Sequence, residues 1–110
     1  MSRYQAEFLH GTLDTLVLKT LTGGPMHGYA VGKSIEEATG GAIDLEEGTL
    51  YPALYRLEKR GLVDAEWGTS ELGRRAKFYR LTRTGRQQLA SDAAAWAAFS
   101  AAVNRILAKA

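Results

Sequence analysis

The sequence predicts a mainly α-helical domain with one small β-hairpin and a long helix at its C-terminus. Three segments before residue 61 carry apolar side chains at the 3.6-residue period of an amphipathic helix. Residues 63–81 change to the two-residue alternation that is typical of β-strands. Beyond residue 82, apolar residues recur every seven positions, as in helices that pack along another helix.

The first two helices are predicted between stretches of glycine. Thr12 can cap the first helix, and Asp14 favours the helix dipole in its first turn. The run Gly23-Gly24-Pro25 then ends this helix. A second helix is predicted over about residues 27–39, before two further glycines. Its predicted buried residues are Val31, Ile35 and Ala38.

A third helix is predicted over about residues 48–60, with an apolar stripe on one side and polar or aromatic side chains on the other. Proline is tolerated only near the first turn of a helix, so Pro52 requires this helix to begin close to Gly48 or Thr49. Glu46 and Glu47 are interpreted as acids that favour its dipole. The stripe consists of Leu50, Leu54 and Leu57. The opposite side of the helix carries Pro52, Tyr55, Arg56 and Lys59.

Two alternating runs with a glycine-containing loop between them predict an antiparallel hairpin. In the first run Val63, Ala65 and Trp67 alternate with acidic residues, and Trp67 is predicted to lie in the core. In the second run one face carries Lys77, Tyr79 and Leu81.

A last helix is predicted from Thr82, as its cap, to about residue 107. Asp92 interrupts its apolar stripe. Because this stripe has no obvious place of burial within one chain, we expect it to pack against the same helix of a second copy and form a homodimer. The predicted dimerisation residues are Leu89, Trp96, Phe99, Val103 and Ile106.

Composition excludes several classes of protein. The 110 residues contain no cysteine and two histidines, which leaves no thiol nucleophile, no disulfide and no closed zinc site. No apolar run approaches the roughly 18 residues of a membrane span. No serine, histidine and acid stand at the spacing of a catalytic triad. We therefore expect a cytoplasmic protein that is not an enzyme, with no cofactor, no metal site, no catalytic residue and no membrane partner.

The net charge of +2 conceals an uneven distribution. Residues 1–55 carry three basic and seven acidic side chains, whereas residues 56–110 carry eleven basic and five acidic ones. Residues 74–86 contain six basic side chains and no acidic one. This block indicates either a polyanionic partner or a solvated basic face.

Three helices followed by a basic hairpin form a winged helix-turn-helix arrangement, which favours double-stranded DNA as the partner. A helix about 10–12 Å wide fits the major groove of about 12 Å, and arginines of the hairpin can enter the minor groove. The third helix would then read bases, while the hairpin and the start of the second helix contact phosphates. The candidate DNA-binding residues are His27, Tyr29, Lys33, Thr49, Tyr51, Tyr55, Arg56, Lys59, Arg74, Arg75 and Lys77.

Each candidate also has a simpler structural explanation. Tyr51 can pack beside the leucine stripe with its hydroxyl against the first helix, and Thr49 can be a capping residue. His27 can be a helix-start residue whose ring bonds the backbone. The arginines and lysines can be solvated surface charges.

Four sequence blocks resemble the PadR family of transcriptional regulators, in this order and spacing: GPMHGY at 24–29, EGTLYPALYRLE at 47–58, GLV to WG at 61–68, and GRRAKFYRLT at 73–82. The single helix after the hairpin is similar to the short PadR subfamily. The resemblance implies a dimeric repressor on a partly palindromic operator, with residues 1–82 as the DNA-binding domain and residues 83–110 as the dimerisation helix, packed as one unit.

The resemblance also implies a pore at the dimer interface that accepts planar aromatic molecules. Binding of such a molecule would release the DNA. Trp96 stands where the family has a tryptophan wall, and Phe99 and Phe8 are candidate neighbours. Dimer packing alone is the other explanation for Trp96. As a second function, the domain can be a ligand carrier or a protein-interaction module that does not bind DNA, which the acidic first half favours.

Overall fold

The computed structural model describes Leu9 and residues 11–110, which form four α-helices and a three-stranded antiparallel sheet. The predicted fold class is confirmed. In chain order the elements are α1 (Leu13–Thr20), β1 (Met26–His27), α2 (Gly28–Ala38), α3 (Glu47–Lys59), β2 (Val63–Thr69), β3 (Arg75–Leu81) and α4 (Arg83–Leu107), with a short 3₁₀ turn at Leu21–Gly23.

The core lies where α1, α2 and α3 meet the base of the sheet. Leu18, Leu54 and Leu57 are fully buried there, and Val31 and Ile35 contribute the inner face of α2. The prediction that Ala38 is buried is wrong, because α2 ends at this residue and its last turn extends past the core.

Two helices start at or within one residue of the predicted positions but differ from the prediction in detail. Thr12 occupies the N-cap position of α1 but makes no capping bond, because its hydroxyl donates to the carbonyl of Leu9 at 3.2 Å. Helix α3 begins at Glu47, so Pro52 lies in its second turn. Proline has no N–H, and the carbonyl four residues earlier therefore loses its usual helical partner.

The sheet contains one strand that the sequence did not predict. Strand β1 pairs with β3, placing Met26 opposite Tyr79 and His27 opposite Phe78. Strand β3 also pairs with β2 from Val63–Leu81 at the base to Thr69–Arg75 at the tip, and so lies in the centre. A two-residue strand is too short to show an alternating pattern, and its pairing with β3 joins the start of α2 to the hairpin.

The outer half of the hairpin, which we call the wing (residues 66–78), extends beyond the core. Val63 and Leu81 are buried at its base. Trp67 points to the same side but is 57% exposed, so its predicted place in the core is wrong. The strand period gives the face of the sheet correctly, but burial also requires apolar neighbours, and Trp67 does not belong to the cluster of buried residues that forms the core.

Helix α4 begins against the core and then leaves it. Thr82 caps it, accepting from the Gly85 N–H at 2.9 Å and donating to the Gly61 carbonyl at 2.8 Å. Helix α4 packs against α1, and Leu89 lies partly buried against the core of its own chain. The remaining helix, about 25 Å at 1.5 Å per residue, carries an exposed apolar stripe. The stripe consists of Trp96, Phe99, Val103 and Ile106.

We expect Gly85→Ala to lower the free energy of unfolding by about 1–3 kcal/mol. A Cβ at Gly85 would collide with the carbonyl oxygen of Leu62 and come within 2.8 Å of the Leu81 side chain. Gly48→Ala is the matched control, because a Cβ there meets nothing and should stabilise α3 by about 0.5–1 kcal/mol. Urea denaturation measures both values. Equal effects of the two variants would contradict the close packing of Gly85 against Leu62 and Leu81.

Candidate nucleic-acid interface

The outward face of α3 is set by the burial of its opposite side. Leu50, Leu54 and Leu57 face the core, so Tyr55 and Lys59, one helical turn apart, lie in solvent. The ammonium nitrogen of Lys59 lies 5.6 Å from the centre of the Tyr55 ring. This face offers one cation and two aromatic hydroxyls, the second from Tyr51, to a partner.

Tyr51 is half packed and half exposed, with its ring against the first residue of α2. A Cβ at Gly28 would come within 2.8 Å of Cζ and 2.9 Å of the hydroxyl of Tyr51. Burial, together with the nearby Glu47 carboxylate, raises the pKa of the Tyr51 hydroxyl, which keeps it a neutral donor. The hydroxyl therefore lies against the start of α2, whereas its structural alternative places it against the first helix.

Arg56 lies on the edge of α3 that faces α1. Its guanidinium donates to the carboxylate of Asp14 at 3.1 Å, and Arg60 approaches the same carboxylate at 3.7 Å. Asp14 does lie in the first turn of α1, as predicted. The pair ties α1 to α3, so the charge of Arg56 is already partly neutralised within the chain.

Lys77, in strand β3, lies beside the other edge of α3, where the hairpin contacts this helix. Its ammonium donates to Glu58 Oε1 at 2.9 Å, and this hydrogen bond raises the pKa of Lys77. Glu58 belongs to α3 and is half-buried. This bond fixes the wing against α3, and it engages a lysine that sequence reasoning assigned to DNA.

His27 is the N-cap residue of α2, which confirms its structural alternative as a helix-start residue. Its Nδ1 accepts from the Ala30 N–H at 3.3 Å, which leaves the proton on Nε2 to donate to Glu71 Oε1 at 3.2 Å. That hydrogen bond lowers the pKa of the exposed Glu71 carboxyl. The ring of His27 also packs edge-on against Phe78 at 5.4 Å and lies 6.4 Å from Tyr29. His27 thus joins the start of α2 to the wing loop.

Three of the candidate residues line one shallow cleft of about 190 Å³ between α2 and α3. Tyr29 and Lys33 come from α2 and Tyr51 from α3. Acidic side chains line the same cleft, so it is not a purely basic surface; they are Glu36, Asp44 and Glu47. Thr49 lies half-buried in the first turn of α3, and since Glu46 holds the N-cap position, the capping alternative for Thr49 is wrong.

The tip of the wing is a tight loop that presents two adjacent arginines. The Ser70 N–H donates to the Arg74 carbonyl at 2.8 Å, and Gly73 adopts a φ of 75° that favours glycine. Both Arg74 and Arg75 are exposed. The guanidinium carbon of Arg75 lies 4.5 Å from the centre of the Trp67 ring.

The candidate ligand residues on α4 form a small aromatic pair. The ring centres of Trp96 and Phe99 are 6.4 Å apart, and both side chains are more than half exposed. Phe8, the third candidate, lies outside the described residues. Leu89 differs from the other predicted dimerisation residues because the core of its own chain already covers part of it.

The structure therefore brings the candidate residues to three neighbouring places: the cleft, the outer face of α3 and the wing. Sequence reasoning missed the residues that hold these places together, which are Asp14, Glu58, Trp67 and Glu71. Three of them are acids whose partners lie 19 to 44 positions away, and a single sequence carries no signal for such pairs.

Among the described residues, no group of three or more histidine, aspartate or glutamate side chains is placed to hold a metal ion. In the same part of the chain no helix has both the length and the apolar character required to cross a bilayer.

Comparison with known proteins identifies the relatives of this arrangement. Residues 17–91, more than half of the chain, match the transcriptional regulator PadR-like family. A transcriptional regulator from Clostridium thermocellum superposes with a TM-score of 0.82 and 30% identity, over 90% of this chain and 96% of that one. A PadR family transcriptional regulator from Eggerthella lenta gives 0.81 and 35% identity, over 96% and 89%. A PadR-like transcriptional regulator from Bacillus cereus gives 0.80 and 27%, over 94% and 99%.

Proposed function

This chain belongs to the PadR-like family of transcriptional regulators, and from this premise we propose that it is a homodimeric repressor that binds a partly palindromic operator. It is a DNA-binding transcriptional regulator and not an enzyme. The finer proposal adds which residues contact the duplex, how two copies are joined and which molecule releases the DNA.

One observation carries the DNA-binding part of the proposal: α3 and the wing present exposed donors beside one another. Helix α3 leaves Tyr55 and Lys59 outward, and the Lys77–Glu58 bond holds the wing at its edge. Arg75 stands two residues before Lys77 and therefore on the same face of strand β3. A duplex that receives α3 in its major groove thus also meets the arginines of the wing.

We assign the contacts by their chemistry. Tyr51, Tyr55 and Lys59 occupy the part of α3 that would face base edges, with Thr49 at its start. Arg74 and Arg75 would contact phosphates or the minor groove, where their position gives affinity without fixing sequence. Lys33 and Tyr29 at the cleft would contact the backbone. Arg56 and Lys77 could contact the DNA backbone only by sharing or leaving their carboxylate partners. We therefore expect them to contribute less to the affinity for DNA.

The exposed stripe of α4 supports a dimer. Trp96, Phe99, Val103 and Ile106 alternate at spacings of three and four residues, the pattern by which two helices interlock. A contiguous exposed apolar surface of this kind marks an interaction site in a globular domain. Two-fold symmetry would then place the two α3 helices about 34–36 Å apart on successive major grooves.

We expect the double variant Arg74→Ala/Arg75→Ala to weaken binding to every duplex and to flatten the salt dependence. Removing one phosphate-binding side chain reduces the slope of log K against log salt by about 0.9. Fluorescence anisotropy over a series of salt concentrations, with DNA from upstream of the protein's own coding sequence, measures both effects. Arg83→Ala/Arg86→Ala is the matched control, because it removes the same charge from α4 and should change the slope less.

The same titration decides between a DNA-binding regulator and a carrier module. A regulator gives a saturable complex that weakens steeply with salt. A carrier gives no such complex with any duplex. An unchanged isotherm for the wing variant, in a protein that does bind DNA, would reject the wing contacts alone.

We expect Phe99→Glu to convert the dimer to a monomer, because each copy would place a charge opposite apolar side chains of its partner. Sedimentation velocity measures the change of mass. Ala101→Glu is the control, since position 101 lies on the opposite side of α4 from the stripe and should leave the dimer intact. A wild-type protein that sediments as a monomer at micromolar concentration would refute the proposed dimerisation helix.

A second candidate function is release of DNA by a planar aromatic molecule bound between the two α4 helices. The exposed Trp96–Phe99 pair favours it, because aromatic faces stack on planar ligands. We expect Trp96→Ala to weaken the binding of an aromatic dye by about tenfold, measured by dye anisotropy. Trp67→Ala is the control on the wing. Unchanged dye affinity in the Trp96 variant would reject this site and leave dimer packing as the role of Trp96.

A further inference from the structure

The basic side chains at residues 74–80, in strand β3 and the loop before it, fall into two sets. Lys77 is bonded to Glu58 at 2.9 Å, and Arg80 to Asp64 at 3.1 Å. In the described part of the chain, Arg74 and Arg75 have no carboxylate within the range of an ion pair. The positive charges of this segment that no carboxylate offsets therefore lie at the tip of the wing.

Of these two tip arginines, Arg75 is held in place by an aromatic ring. Trp67 and Arg75 lie on neighbouring strands and on the same face, since Trp67 pairs with Lys77 and Arg75 with Thr69. They are diagonal neighbours, a distance that long side chains bridge. The guanidinium carbon lies 4.5 Å from the ring centre, within the range of a cation–π interaction.

This stack explains an exposed tryptophan that the core does not use. Trp67 is 57% exposed and does not belong to the cluster of buried residues that forms the core. A guanidinium that stacks on a ring keeps its N–H groups at its edge, free to donate to another acceptor. The ring therefore restricts the position of Arg75 without consuming its hydrogen-bond donors.

We infer that Trp67 is a positioning residue for DNA binding: its indole ring holds the Arg75 guanidinium on the α3 side of the wing, ready to contact a phosphate. The side is defined by Lys77, the cross-strand partner of Trp67, which reaches Glu58 of α3. Arg75 then loses less side-chain freedom when it meets DNA, which improves affinity. This inference rests on the proposed function.

A double-mutant cycle tests the inference. The probe is a random-sequence duplex of about 30 base pairs, because a phosphate contact does not require the operator. We expect Trp67→Ala to weaken binding roughly two- to fivefold, the size of an exposed cation–π interaction. In the Arg75→Ala background, Trp67→Ala should weaken binding no further. Trp67→Phe should recover part of the loss, because phenylalanine also presents an aromatic face.

The salt dependence separates positioning from direct contact. Arg75→Ala should flatten the slope of log K against log salt, because it removes a phosphate contact. Trp67→Ala should lower affinity and leave that slope unchanged, since Arg75 still reaches the phosphate. A cycle of Trp67→Ala with Lys59→Ala is the control and should be additive, because Lys59 belongs to α3 and its ammonium lies over the ring of Tyr55.

A measurement without DNA reports the stack itself. In a Trp96→Phe background Trp67 is the sole tryptophan of the chain, and Arg75→Ala should change its emission. Emission that is indifferent to Arg75, or additive losses in the Trp67–Arg75 cycle while the protein binds DNA, would overturn the inference and leave the proposed function standing. A protein that binds no duplex overturns both, and the emission change then shows that the stack serves something other than DNA.

Discussion

The burial of one leucine stripe determines how this molecule can meet a partner. Leu50, Leu54 and Leu57 are covered by α1 and α2, and a helix whose one side is buried must turn its other side to water. Burying three leucine side chains contributes about 5–8 kcal/mol, far more than any surface ion pair nearby. The orientation of α3 is therefore fixed by the core, and the side chains on its outer face remain free to vary in chemistry without loss of the fold.

Surface carboxylates then distribute the positive charge. Asp14 engages the arginines at one edge of α3, and Glu58 engages the lysine at the other. Each exposed pair contributes little stability, with a median of about 0–1 kcal/mol. Their larger effect is on which cations stay available to a polyanion. The eleven basic residues of the second half thus reduce to a smaller effective set, with Lys59, Arg74 and Arg75 at its centre.

The elements of this fold could be predicted because they are set by local periodicity. The antiparallel hairpin follows from two alternating runs and a glycine loop, and α3 from its leucines. Strand β1 could not be predicted, because two residues show no period and their partner lies some 50 positions away. The prediction that Trp67 lies in the core is wrong because alternation identifies a face of the sheet but not how far the core extends under it. The pairs of Asp14, Glu58 and Glu71 depend on the packed structure, so the candidate site was predicted as a set of residues and not as a set of partners.

The position of the wing depends both on the packed helices and on the surface pairs. It extends beyond the core, so burial does not fix its position, and a two-stranded ribbon alone is marginally stable in water. Three contacts replace burial: β1 pairs along β3, Glu58 binds Lys77, and His27 binds Glu71 at the tip. Two of these contacts originate at the start of α2 and one from α3, so the wing is anchored to both helices of the helix-turn-helix pair. A displacement of either helix would therefore also move the arginines of the wing, so the three elements meet a duplex as one connected surface.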